Sequence, residues 1–326
     1  MNAAFINNIF NATPHTFPGI AIEVFQFQYQ GNELYRNFVK SLGIKKESVS
    51  TVEKIPFLPI SFFKTHAIKT TSFESDLVFA SSGTTQSATS LHYVKAAEMY
   101  KRSFMQFFEE TYGNTNNYCV LALLPSYLER NNSSLVYMAD ELIKQSKHID
   151  SGFYLNEFEK LYDTLKRLEH NHQPTLLIGV TFALLDFFEK HALPLHHTIV
   201  METGGMKGRR IEWTRQEIHS FINSRTGLKN IHSEYGMTEL LSQAYSKGKG
   251  IFQCAEWTQV LVREEDDPLT VKSTGRGVIN VIDLANIYSC SFIATDDAGI
   301  VYDDGSFEII GRVDNSDIRG CSLMTV

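Results

Sequence analysis

The sequence has 326 residues, of which 43% are hydrophobic and 21% charged, and its formal net charge is −7. By area scaling, a chain of this length buries roughly 75% of its extended surface, which gives it a real core and rules out wholesale disorder. The acidic balance and the lack of any basic run argue against nucleic acid as a partner. The longest apolar stretch, Gln173 to Leu185, is stopped by Asp186, short of the ~18–20 residues that a membrane span needs. No charge precedes Glu23, so the basic start of a signal peptide is missing, and a cytoplasmic protein is expected.

The four cysteines, Cys119, Cys254, Cys290 and Cys321, have neither CxxC nor zinc-ligand spacing. Neither a disulfide framework nor a structural metal is indicated. Cys119, Cys254 and Cys290 stand in apolar or β-branched runs and read as buried small hydrophobes.

Residues 1–75 read as helical pieces broken by Pro56 and Pro59. One helix runs from Asn32 as N-cap to Gly43, with Leu34, Phe38, Val39 and Leu42 on one face. Over 76–250 the periods alternate. Leu77–Ala80 and Tyr118–Leu124 are strands, and a helix starts at Ser134. Asn156 is expected to cap a further helix, with Glu159 completing a box-like spacing. The strand Leu176–Val180 precedes a helix through Phe182, Leu185 and Phe188. A strand at His197–Met201, a helix at Trp213–Phe221 and a strand at Lys229–His232 follow. Apolar strands alternating with helices predict a parallel α/β sheet covered on both faces. Over 251–326 short strands separated by Gly and Asp turns, at Val260–Val262, Val278–Ile282, Ser291–Ala294 and Ser306–Ile310, predict a β-rich subdomain.

Four stretches carry chemistry. Ser81-Ser82-Gly83-Thr84-Thr85 follows a strand, and small hydroxyl residues around a glycine let N–H and O–H groups surround phosphate oxygens. The same composition also makes an ordinary solvated loop, and no Gly-Lys-Ser/Thr follows it. Glu202-Thr203-Gly204-Gly205-Met206-Lys207-Gly208 closes a strand with glycines that admit a flat purine or sugar, or simply makes a tight turn. In Tyr235-Gly236-Met237-Thr238-Glu239, Glu239 is suited to Mg²⁺ and Thr238 to a phosphate. The alternative there is a helix start capped by Thr238. Thr295-Asp296-Asp297, with Asp304-Gly305 and then Gly311-Arg312-Val313-Asp314-Asn315, reads on its own as a hairpin with surface charges, which Asp-Gly pairs commonly make.

In this order and spacing the four resemble the acyl-adenylate-forming superfamily, which includes acyl-CoA synthetases, luciferases and peptide-synthetase adenylation domains. Asp297 stands eight residues before Gly305, as that pattern requires. The wording of Ile55–Ile60, Ser81–Thr85, Pro125–Arg130, Thr203–Gly208 and Ile309–Cys321 resembles, more narrowly, the acyl-protein synthetase family. That family includes the LuxE subunit of a fatty-acid reductase complex. The likeness spans nearly the whole chain.

The resemblance implies a large α/β adenylate-forming domain and a ligase that uses ATP and Mg²⁺ to activate a fatty or other apolar acid. Ser81, Ser82, Gly83, Thr84 and Thr85 would hold the β and γ phosphates. Thr203, Gly204 and Tyr235 would flank adenine, with Gly205 and Gly236 in the same motifs. Asp297 and Arg312 would meet the ribose, and Glu239 the metal. A pocket near Pro125–Tyr127 and the Leu176–Val180 strand would take the acyl chain. Relatives commonly place a glycine where Gln86 stands, and no lysine closes the loop here. The sequence stops twelve residues after Asp314, where adenylating enzymes commonly continue into a mobile lid carrying a lysine. That fits the acyl-protein synthetases and leaves Lys207 and Arg209 as candidates for charge at the α-phosphate. A CoA ligase borrowing a lid, or a non-catalytic nucleotide-binding subunit, stays open. The terminal Arg319-Gly320-Cys321-Ser322 resembles the region whose cysteine takes the acyl group for an acyl-reductase or carrier-protein partner. Cys321 is otherwise a strand residue tucked into the β-rich part.

Overall fold

The computed structural model describes residues 2–81, 89–124, 132–204 and 213–313. The chain opens with three helices, α1 (Ala3–Phe10), α2 (Phe17–Gly31) and α3 (Glu33–Ser41). Asn32 ends α2 and starts α3, its side chain accepting from the Tyr35 N–H at 3.0 Å. The face of α3 buried most deeply is Tyr35 and Val39; Leu34, Phe38 and Leu42 are only partly covered. Pro56 precedes the short strand β1 (Leu58–Pro59). The pair β2 (Leu77–Ala80) and β3 (Leu91–Val94) forms its own antiparallel sheet, so the strand before the hydroxyl-rich loop does not join the main sheet.

Then helices and strands alternate: α4 (Ala97–Tyr112), β4 (Cys119–Leu123), α5 (Ser134–Ser146), β5 (Gly152–Phe153) and α6 (Phe158–His170). They are followed by β6 (Thr175–Gly179), α7 (Thr181–Lys190), β7 (Thr198–Glu202), α8 (Arg215–Thr226) and β8 (His232–Tyr235). Strands β5, β4, β6, β7 and β8 are parallel in that spatial order. Val120, Leu121, Leu176, Leu177 and Val200 are fully buried between the covering helices. The last part is antiparallel: β9 (Ala244–Ser246), β10 (Ile251–Cys254), β11 (Thr258–Arg263), β12 (Val271–Lys272), β13 (Gly275–Asp283), β14 (Phe292–Val301) and β15 (Phe307–Arg312). Because β9 pairs with both β8 and β10, and β10 with β15, the parallel and antiparallel strands form one continuous 13-stranded sheet.

Several local expectations shift. Helix α6 starts at Phe158 with Glu157 at the N-cap and no side-chain cap, so Asn156 and Glu159 make no box; Phe158 packing on Phe187, with ring centroids 5.8 Å apart, sets the start instead. Helix α8 starts at Arg215, not Trp213, because Thr214 and Glu217 form a reciprocal capping box. Strand β8 lies three residues beyond Lys229–His232, since His232 and Ser233 are the residues that pair with Met201 and Glu202. Asp297 lies within β14 and not in a hairpin turn; the turn is at Gly305, with φ +80°. Cys119 and Cys290 are buried, whereas Cys254, near the end of β10, is partly exposed. Among the described residues no helix is long and apolar enough to cross a membrane.

Candidate functional site

The register of the parallel strands sets Leu123, Gly179, Glu202 and Ser233 side by side. The loops after them therefore leave from one edge, outside the carboxyl ends of the strands. β5 lies on one side of β4 and β6 on the other, so this edge is also where the strand order reverses. That is where open α/β sheets bind ligands. Thr203-Gly204 leaves β7 there, and Gly236–Glu239 leaves β8.

Gly204 has φ +72°, a conformation that favours glycine. Its N–H donates to Glu202 Oε2 at 2.7 Å, and Thr181 Oγ1 donates to the same oxygen at 3.1 Å. Arg215 Nε stands 3.4 Å from Glu202 Oε1. Burial pushes the Glu202 carboxyl up, but His219, Arg215, Ser233 and the Gly204 N–H outweigh it and hold it down at about 2. Glu202 is thus an ionised buried carboxylate that fixes the turn carrying Thr203.

No helix follows Glu239, so Thr238 is not a helix cap. The segment is pinned from below instead. His92 contacts Thr238 O through Nδ1 at 2.8 Å and Asn286 Oδ1 through Nε2 at 2.9 Å. Asn286 Nδ2 donates to Glu239 O at 2.8 Å. Further on, the buried Asp283 accepts from the N–H groups of Leu241 at 2.7 Å and Ser242 at 3.0 Å. Burial raises the Glu239 carboxyl above its ordinary range, against the opposing pull of the Ser90 hydroxyl. Ser90 also donates its N–H to Ser81 Oγ at 3.0 Å and accepts from Ser81 N at the same distance. Ser90 therefore ties Glu239 to the base of the hydroxyl-rich loop.

Tyr235 OH donates to Asp297 Oδ2 at 2.7 Å, and Arg312 Nε donates to Oδ1 at 3.1 Å. Asp297 and Arg312 are register partners across β14 and β15. The Tyr235 ring packs against Phe252 and Phe307, with centroids 5.9 and 5.7 Å away. The structure thus brings Ser81, Thr203, Gly204, Gly236, Thr238, Glu239 and the Tyr235–Asp297–Arg312 cluster to the region where these strands end. A cavity of about 140 Å³ opens there, lined by Ala80, Ser133, Met138, Thr203, Thr238 and Gln243 among others. Ser82, Gly83, Thr84, Thr85, Pro125–Tyr127, Gly205, Lys207, Arg209 and Cys321 lie outside the described residues.

Sequence reasoning missed His92, Ser90, Asn286 and the carboxylate role of Glu202. Only Glu202 carried a local signal, an acid ending an apolar strand. Among the described residues no cluster of three or more His, Cys, Asp or Glu side chains is placed to hold a metal. A hard cation at Glu239 fits the donor chemistry, because carboxylate oxygens suit Mg²⁺.

The family model for acyl-protein synthetase, LuxE, matches residues 14–325. The long-chain-fatty-acid--luciferin-component ligase of Aliivibrio fischeri is 22% identical over 329 residues, covering 92% of this chain and 85% of that protein. An open conformation of 2-hydroxyisobutyryl-CoA ligase, in complex with 2-HIB-AMP and CoA, superposes with a TM-score of 0.65 at 13% identity, over 91% of this chain and 69% of that one. ATP-bound MatB from Rhodopseudomonas palustris gives 0.55 at 17% identity, over 74% of this chain and 49% of that one, so the chain spans about half its length. O-succinylbenzoate coenzyme A synthetase from Bacillus subtilis, with ATP and magnesium, gives 0.52 at 14% identity, over 74% of this chain and 51% of that one. These likenesses show an adenylate-forming fold.

Proposed function

Since the chain belongs to the acyl-protein synthetase, LuxE, family of ligases, we propose that it activates a fatty or other apolar carboxylic acid with ATP and passes the acyl group to a protein thiol. In the first step a carboxylate oxygen attacks the α-phosphorus, the bond to pyrophosphate breaks, and a mixed anhydride forms. In the second a thiolate attacks the acyl carbon, a thioester forms, and AMP leaves. Catalysis rests on positioning and on neutralising charge at the transferring phosphoryl.

The observation that carries this reading is the Tyr235–Asp297–Arg312 cluster, set beside Thr203-Gly204 and the Thr238-Glu239 turn. Asp297 keeps free lone pairs on both oxygens and accepts from the ribose hydroxyls, while Tyr235 and Gly204 flank adenine together with Gly205 and Gly236. Ser81, Ser82, Gly83, Thr84 and Thr85 hold the departing phosphates, and Thr238 donates to one of them. Glu239 holds Mg²⁺, which when bound supplies positive charge to the leaving pyrophosphate. Lys207 assists at the α-phosphate, and Cys321 takes the acyl group. The product suits an acyl-reductase or a carrier protein as partner, in the cytoplasm. The experiment is acid-dependent exchange of labelled pyrophosphate into ATP across acids of different length; exchange with none of them overturns the reading in favour of a non-catalytic nucleotide-binding subunit.

A further inference from the structure

Side chains alternate along β8, so Glu234 faces away from the Tyr235–Asp297 side and lines the cavity. A Cβ at position 236 would collide with Glu234 Oε1, so Gly236 leaves the carboxyl its room. Among the described residues Glu234 accepts no hydrogen bond and makes no ion pair, and no Lys, Arg or His lines the cavity. Burial first, and then the nearby Glu202 carboxylate, push the Glu234 carboxyl up to about 8. At neutral pH it is therefore mostly protonated and both accepts and donates.

Gln243, only 6% exposed, forms the neighbouring wall. Its Nε2 reaches Tyr100 OH at 3.5 Å, and that hydroxyl donates to Ser134 O at 3.0 Å. Gln243 Oε1 is buried with no partner among the described residues. A buried acceptor left bare costs more than its hydrogen bond would return. Leu135, Met138 and Met237 complete the wall with apolar surface.

We propose that Glu234 and Gln243 read a hydrogen-bond donor on the acyl part of the acid, so that the substrate is an apolar acid bearing a hydroxyl or ammonium group and not a plain alkanoate. The inference rests on the adenylation reading, narrows it, and moves the acyl pocket from the expected Pro125–Tyr127 and Leu176–Val180 region to this cavity, whose walls hold none of Leu176–Val180. A site built to pair a donor discriminates strongly against the analogue that lacks it, because Gln243 Oε1 is then left buried and unpaired.

The test is kcat/KM in acid-dependent pyrophosphate exchange for hexanoate, its hydroxy derivatives and its amino derivatives, with the substituent at successive carbons. One donor-bearing acid should exceed hexanoate by roughly tenfold to a hundredfold, and the hydroxy and amino arms identify the donor. Gln243→Met and Glu234→Leu should collapse that ratio toward unity, whereas Glu234→Gln, which still pairs, should keep it. Hexanoate used as well as every derivative by the wild type overturns the inference, whether or not the variants fold. So does an unchanged ratio in folded Gln243→Met and Glu234→Leu, or a change confined to KM for ATP. Exchange with no acid at all, from a protein that melts cooperatively, overturns the adenylation reading and this inference with it.

Discussion

The hydroxyl of Tyr235 donates to Oδ2 of Asp297 at 2.7 Å, joining the end of a parallel strand to an antiparallel one 62 residues away in sequence. The other oxygen of Asp297 is held by Arg312 at 3.1 Å. The carboxylate is therefore aimed before any ligand arrives. Asp297→Ala should raise KM for ATP by roughly ten- to a hundredfold, the range for charge-assisted hydrogen bonds. Tyr235→Phe removes one neutral donor and should raise it only about fivefold. Nucleotide titration by calorimetry checks both values, and equal effects would show that Tyr235 does more than orient Asp297.

The His92–Asn286 pair holds the carbonyls of both Thr238 and Glu239. His92→Ala should lower kcat by roughly ten- to a hundredfold through misplacement of that turn, with a smaller change in KM for ATP. It should also lower stability by about 1–3 kcal/mol, because the buried acceptor paired with the single N–H of the neutral imidazole loses its donor. Steady-state kinetics with a parallel urea melt separates the effects. A fall in stability with unchanged kcat would make the pair structural only.

Part of this cluster was legible from local wording. The spacing of Asp297 to Gly305, and the run Tyr235–Glu239 after a strand, single out residues that the structure brings together at Tyr235, Asp297 and Arg312. His92 was not legible, because its meaning depends on Asn286, 194 positions away, and a histidine between apolar residues reads as core. Strand β8 was misplaced because His232-Ser233-Glu234-Tyr235 has no apolar run, and its polar residues give no period to read. The Asn156 cap failed for the opposite reason, a local signal overridden by the packing of Phe158. The alternation of periods 3.6 and 2 over the middle of the chain did yield the parallel sheet, since strands buried on both faces must be continuously apolar.

Stability should respond to pH in two opposed directions. Burial lowers His92 and His232 from 6.5 to about 4. Across that window the unfolded chain binds more protons, so their contribution is present above pH 6.5 and lost as pH falls toward 4. Glu202, held at about 2 against 4.5, adds a further loss as pH falls through that lower range. Glu234 acts oppositely. Its folded value of about 8 lies above 4.5, so its contribution is complete below 4.5 and lost as pH rises to 8. Melting temperature against pH should show a maximum between the two limbs, and Glu234→Gln should flatten the alkaline limb alone. An unaltered alkaline limb in that variant would contradict the assignment.

If Cys321 receives the acyl group, Cys321→Ser should retain pyrophosphate exchange. It should lose the hydroxylamine-labile label left after incubation with ATP and a labelled acid, because a thioester is cleaved by neutral hydroxylamine while a buried free thiol carries no label. A variant that labels like the wild type would place the acceptor elsewhere.

Formation of an acyl-adenylate at the Tyr235–Asp297–Arg312 cluster is tested most directly by following oxygen. The protein is incubated with ATP, magnesium, an accepted acid labelled with heavy oxygen in its carboxylate, and a thiol acceptor, and the nucleotide product is examined by mass spectrometry. Attack of the carboxylate on the α-phosphorus predicts AMP carrying one heavy oxygen per acyl group transferred, in wild type and, more slowly, in Asp297→Ala. Unlabelled AMP, or ADP with labelled inorganic phosphate, would contradict it.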